Sequence, residues 1–170
     1  MGLPTGGAAE ECDGSHMLED EVLEKAIGNF KKQGWVCIYR TWPTRSSGST
    51  TNLAGVDAIM SKMNNAKFIF IEAKGSPSSK SAASQSFTTG LGSIIKRVRV
   101  KDGYFSNEAL ECFHGNTRAE REQTRDAVKF HANLQNSEYV LALPQDFKNR
   151  AATSVDEEAL KMLKIRFLWI

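Results

Sequence analysis

The sequence predicts an α/β (α+β) fold, a mixed β-sheet flanked by helices with the core order helix, three strands, helix, strand. Three observations predict it. An amphipathic helical repeat opens the fold, three β-rich segments follow it closely, and helical segments then alternate with further strands. Short links between the first three strands imply an antiparallel meander, and later crossovers through helices add parallel strands.

From Leu18 to Gln33, Val22, Leu23, Ala26, Ile27 and Phe30 recur at helical spacing, and Gly34 follows as a helix-ending glycine. Trp35 to Thr41 is β-rich and stops before Pro43, and residues 43–52 are a polar loop. Two strands are expected at Leu53 to Met60 and Lys67 to Ala73, joined by a turn through Asn64-Asn65. The run Phe68-Ile69-Phe70-Ile71 is apolar throughout, so its strand belongs at the sheet centre, covered on both faces. After a Ser- and Lys-rich loop, Gln85 to Val98 is helical, with Phe87, Leu91, Ile94, Ile95 and Val98 on one side. Gly90 and Gly92 in that helix suit a close approach to the sheet. Residues 99–116 are ambiguous. Thr117 to Leu134 reads as a polar helix with Ala127, Phe130 and Leu134 as its inner face. A strand (139–143), a short helix (156–163) and a last strand (165–170) complete the pattern.

The 170 residues suit one domain, and no apolar run approaches the roughly 20 residues of a membrane span. Residues 1–16 are set apart as a disordered or vector-derived tail, because Gly14-Ser15-His16-Met17 resembles a cloning scar; residues 17–170 form the domain. The formal charge of +2 becomes +5 without the three acids of that tail. From Met60 to Lys101 there are eight Lys or Arg and one acid, Glu72. Such a bias favours an anionic partner, nucleic acid being the usual one, and a solvated basic surface is the equal alternative. Cys12, Cys37 and Cys112 show no paired spacing, which predicts free thiols in a reducing, cytoplasmic setting.

Asp57 stands in an apolar segment, Gly55-Val56-Asp57-Ala58-Ile59, and Glu72 and Lys74 close the next one, Ile71-Glu72-Ala73-Lys74. Buried charges need partners or a metal. Residues two apart on a strand share a side, so Glu72 and Lys74 project together, and a hairpin brings Asp57 to the same spot. Two carboxylates make a hard oxygen site suited to Mg²⁺, to which the Ala73 carbonyl can add a ligand. An ion pair of Lys74 with one acid is the structural alternative, and it leaves the second acid unexplained.

Asp57 followed by Glu72-Ala73-Lys74 resembles the signature of the PD-(D/E)xK nucleases, whose restriction endonuclease-like core has the same element order over residues 18–143. Val56 replaces the family's proline, and Thr89 and Ser93 stand where relatives often carry glutamine. The resemblance implies a Mg²⁺-dependent deoxyribonuclease, with Mn²⁺ able to substitute. Asp57 and Glu72 would ligate metal, and Lys74 would serve catalysis. Many members carry a glutamate on the first helix. Glu19, Glu21 and Glu24 are the candidates, and helical angles favour Glu19, with an acid capping a frayed first turn as the alternative. DNA is the implied partner and a homodimer is compatible with it; no membrane and no organic cofactor is expected. A non-catalytic nucleic-acid-binding module and a ribonuclease are the other readings.

Lys96, Arg97, Arg99 and Lys101 are candidate phosphate contacts, as are Arg45 and Lys80 in loops flanking the centre. Arg118, Arg121, Arg125 and Lys129 form a helical stripe that can track phosphates or pair with Glu122 and Asp126. Cys112, His114 and His131 lack the spacing of a zinc site and read as structural. Tyr104, Phe105 and Phe113 suit burial better than base stacking.

Overall fold

The structure is a computed structural model that describes residues 16–41, 56–99, 108–148 and 157–170; for residues 96–99, 108 and 157 it describes the backbone alone. The elements are helix α1 (Glu19–Lys32), strands β1 (Val36–Arg40), β2 (Ala58–Lys62) and β3 (Lys67–Ala73), helix α2 (Lys80–Arg99), a 3₁₀ turn (Glu108–Cys112), helix α3 (Arg118–His131), strand β4 (Ser137–Leu143), helices α4 (Gln145–Lys148) and α5 (Glu157–Met162), and strand β5 (Ile165–Trp169). The five strands form one sheet in the order β1-β2-β3-β4-β5. β1, β2 and β3 pair antiparallel, whereas β3–β4 and β4–β5 are parallel, as a meander followed by helical crossovers requires. No helix among the described residues is long and apolar enough to cross a membrane.

The sheet separates two apolar layers. On one face α1 lays Val22, Leu23, Ala26, Ile27 and Phe30 against Cys37, Ala58, Met60, Ile69, Ile71 and Ala73. Each such side chain contributes on the order of 1.5–3 kcal/mol by leaving water. The other face carries Ile59, Phe68, Phe70, Tyr139 and Leu141, covered by Ala83 and Ile94 of α2, Val128 of α3, Phe147 and Leu160. Phe70 stacks on Tyr139 at 5.2 Å between ring centroids, and Tyr39 meets Phe113 edge-on at 4.9 Å. β3 lies at the centre with Phe68 to Ala73 all buried, as its unbroken apolar run demands. α1 stops where the sequence places its stop, with Gly34 at a φ of +82°, a conformation glycine adopts without a Cβ penalty. The β2–β3 turn runs through Met63, Asn64 and Asn65, all at positive φ, and Asn65 accepts a 2.6 Å hydrogen bond from Ser61 Oγ.

Several expectations need correction. β2 begins at Ala58, so Asp57 occupies a bend just before the strand; residues 53–55 lie outside those described. α2 starts at Lys80, five residues early, which puts Lys80 on a helix rather than in a loop. α3 ends at His131 because Ala132 turns extended. Its packed side holds Val128 and the half-buried Arg121 and Arg125, and Phe130 stands 74% exposed and Leu134 46%. Arg121 reaches Glu111 of the 3₁₀ turn at 3.4 Å, and the side chains of Arg121 and Arg125 are only 23% and 21% exposed, so the helix is rotated from the face that apolar counting selects.

The two glycines of α2 also differ. A Cβ on Gly90 would sit 2.8 Å from Leu141 Cδ1, so this residue does bring the helix close to the sheet, but a Cβ on Gly92 would meet nothing within 4 Å. Gly92→Ala is therefore expected to stabilise the protein by about 0.5–1 kcal/mol, read as a higher urea midpoint at unchanged slope.

Candidate metal centre

The centre forms where β3 runs out of the sheet. The β2–β3 register ends with Ala58 opposite Ile71, and Asp57 lies one residue beyond it, beside the end of β3. Asp57 extends the pairing although it precedes the strand: its N–H donates to Ile71 O at 2.8 Å. Alternation puts Glu72 on the face of Phe68 and Phe70, toward α2, and Asp57 lies near enough for its charge to act on Glu72. Lys74, two residues on, shares that side, and its N–H donates to Ala142 O at 3.0 Å.

Asp57 is held by two further neighbours. Ala73 N–H donates to its Oδ2 at 2.7 Å, and Thr41 donates to its carbonyl from N at 2.9 Å and from Oγ1 at 3.2 Å. Lys74 Nζ lies 2.9 Å from Glu72 Oε1 and 3.6 Å from Glu19 Oε1. Of the three helix acids, Glu19 is thus the one at the centre. Glu21 accepts from Leu18 N–H at 2.8 Å, and Glu24 pairs with Arg40.

Gly75 sets the approach of α1 to this point. A Cβ there would lie 2.8 Å from Glu19 N and 2.9 Å from Met17 O, both backbone atoms. The contact is tied by Met17 N–H to Ser76 Oγ at 3.0 Å and Ser76 N–H to Met17 O at 2.8 Å. Gly75→Ala is expected to push the start of α1 outward, at a cost of about 1–3 kcal/mol in urea unfolding.

Three carboxylates therefore surround one ammonium. Burial, followed by the charge of Asp57, pushes Glu72 up to about 7 despite Lys74. Asp57 is also raised, by burial first, against the Ala73 hydrogen bond and Lys74. Glu19, half open to solvent, is raised as well: partial desolvation outweighs the pull of Lys74, and Asp57 adds to the rise. For Lys74, burial works downward as the largest single effect, but Glu72, Glu19 and Asp57 together overcome it and hold the amine above its ordinary value. Among the described residues Asp57 makes no ion pair within 4 Å. The cluster is short of positive charge, which an ion pair of Lys74 with one acid would not leave.

Among the described residues no three His, Cys, Asp or Glu side chains converge as a metal cage. A Mg²⁺ site needs no such cage, since this ion keeps several waters and rests on one or two carboxylates. The donor set of Asp57, Glu72 and the Ala73 carbonyl fits that habit, and a divalent ion would offset the surplus negative charge.

The predicted phosphate contacts fare unevenly. Lys80 opens α2, and Lys96, Arg97 and Arg99 fall in its last turns, their side chains outside the described residues together with Arg45, Lys101, Tyr104 and Phe105. Arg118, Arg121 and Arg125 are each paired, with Glu122 at 2.9 Å, Glu111 at 3.4 Å and Asp126 at 3.0 Å. Three of the four cations of the stripe thus stand beside an acid, and Lys129 lies over the Phe130 ring. Phe113 is buried, and Cys37 and Cys112 are buried free thiols. The supports that sequence reading missed are Thr41 and Gly75, and only the glycine directly after Lys74 offered a signal.

Comparison of the chain with protein-family models, with curated proteins and with solved structures returned no match.

Proposed function

We propose that this chain is a metal-dependent deoxyribonuclease of the PD-(D/E)xK kind, with a restriction endonuclease-like core, that hydrolyses phosphodiester bonds. The observation that carries the reading is the gathering of three carboxyl groups about a single ammonium at the end of β3: Lys74 lies 2.9 Å from Glu72 and 3.6 Å from Glu19, and Asp57 is held beside them by the Ala73 N–H. A cluster built for stability alone would balance its charges, because an uncompensated buried carboxylate is costly.

Asp57, Glu72 and the Ala73 carbonyl would hold Mg²⁺ or Mn²⁺, which when bound polarises a phosphodiester and makes a water acidic enough to attack it. The chain's own groups do the rest. The Ala73 N–H fixes one oxygen of Asp57, so the carboxylate is oriented before substrate arrives. Lys74 stays protonated, and its ammonium can orient the attacking water and offset charge that grows on the phosphoryl oxygens. Glu19 holds Lys74 from the far side.

The test is cleavage of plasmid, branched and single-stranded DNA, and of RNA, with Mg²⁺ or Mn²⁺, by the parent and by Asp57→Ala. The parent is expected to cut DNA and the variant to be inactive though folded. A folded parent that cuts none of these substrates rejects the reading, and preferential cutting of RNA would make the enzyme a ribonuclease.

A further inference from the structure

A cavity of about 780 Å³ opens along the outer edge of β1, between α1 and the segment 111–116 that leads into α3. β1 bulges between Cys37 and Tyr39, and His114 N–H donates to Ile38 O at 2.9 Å, so this segment is stitched to the sheet edge. Three cations from separate elements line the cavity: Lys31 of α1, Arg40 of β1 and Arg121 of α3.

Two of them carry replaceable partners. Arg40 pairs with Glu24 and Arg121 with Glu111. The arginine side chains are anchored, at 28% and 23% exposure, whereas the acids are loose, at 53% and 68%. Because the acids stand mostly in water, they are weakly held, and an incoming anion can displace them. The Nε–H groups of Arg40 and Arg121 are buried and make no hydrogen bond among the described residues, so neither guanidinium is fully satisfied by its protein partners. His114 is held below its ordinary value by burial and then by Lys31 and Arg40, which keeps the ring neutral beside the cations. The exposed Val36 adds an apolar surface next to it.

Arg40 links one end of the cavity to the candidate metal centre. Arg40 pairs across the sheet with Ala58, the residue after Asp57, and Thr41 bonds the Asp57 carbonyl. Its volume falls in the roughly 300–1,000 Å³ range of small-ligand pockets, enough for one nucleotide and too small to admit a duplex.

Building on the nuclease reading, we propose that this cavity receives an unpaired nucleotide of the substrate strand beside the scissile bond, its phosphate between Lys31, Arg40 and Arg121 and its base over His114 and Val36. The substrate class is then DNA with a single-stranded flank, such as an overhang or flap.

The test separates binding from cutting. In EDTA, a fluorescein-labelled 12-nucleotide oligothymidylate is titrated with the full chain by anisotropy at several salt concentrations, with a blunt duplex of equal length as the comparison. The single strand is expected to bind more tightly. Lys31→Ala and Arg121→Gln should each weaken its binding about 5-fold and shrink the slope of log K against log salt by about 0.7, the increment of one lost phosphate contact on a single strand. Glu111→Gln should tighten it, because it removes a competing anion, an effect that damage to the fold would not give. Lys31 is exposed, so Lys31→Ala keeps the parental melting temperature. Unchanged affinity and salt slope in both cation variants overturn the proposal, as does a blunt duplex that binds as well as the single strand. If those variants bind as the parent does while Asp57→Ala alone stops cutting, the cavity assignment falls and the nuclease reading survives. If no protein cuts but the cation variants lose the single strand, the nuclease reading falls and the cavity remains a nucleotide site.

Discussion

Lys74→Met is expected to lower the rate of the proposed metal-dependent DNA cleavage by about 10²–10³-fold, the usual loss when one preorganised donor to a transition state is removed. Methionine is chosen because the lysine stem packs under α2: a Cβ on Gly90 would lie 3.5 Å from Lys74 Cγ and Cε. The substitution keeps that contact and deletes the ammonium. The remaining Glu72, Glu19 and Asp57 then have no cation among them, so attraction for a divalent ion rises. Slower cutting is thus expected together with equal or tighter binding of Mn²⁺, followed by calorimetry. That split distinguishes a group acting on the reaction from one that builds the metal site. Single-turnover cleavage at saturating Mg²⁺ is the measurement. A variant that cuts at the parental rate leaves Lys74 as an ion-pair partner and nothing more.

The parts of the fold legible in the sequence are those where one physical demand dominates. β3 occupies Lys67–Ala73 as expected because an unbroken apolar run has a stable place only at a sheet centre. α1 buries all five residues its periodicity selects, and Glu19 reaches Lys74 as the helical angle suggests. Where two demands compete, reading fails. Asp57 was expected inside a strand because its neighbours are apolar, yet it sits in the bend before β2 and keeps the strand's pairing through Ile71 O. Phe130 was placed in the core by hydrophobicity, but α3 turns its arginine stems inward and leaves that ring in water. The cavity beside β1 was illegible for another reason. Lys31, Arg40 and Arg121 come from distant segments, and they meet because a bulge in β1 receives residues 113–114 at the sheet edge. No periodicity within one segment encodes such a meeting.

Stability of the metal-free protein should fall with rising pH because of Glu72, and Glu72→Gln should remove that fall. The unfolded chain gives up the proton near the ordinary value of 4.5, and the folded protein holds it to about 7. Between these values the unfolded state binds fewer protons, so rising pH favours unfolding. The contribution of the protonated carboxyl is whole below pH 4.5 and lost once pH passes 7. A shift of this size corresponds to about 3 kcal/mol at about 1.4 kcal/mol per unit. For a protein of this length that is roughly 6–12 °C in melting temperature. Melting in EDTA from pH 4.5 to 8 should therefore show the parent losing ground to Glu72→Gln by about this amount, wherever the two curves begin. Losing the charge of Glu72 also relieves Asp57, which adds to the difference in the same direction. Divalent ions act oppositely, because they bind the deprotonated pair. Mn²⁺ at pH 8 should raise the melting temperature of the parent and leave that of Glu72→Gln nearly unmoved. Parallel pH curves for the two proteins would mean that Glu72 titrates normally. The crowding of carboxylates at the end of β3, on which the proposed metal site depends, would then not exist.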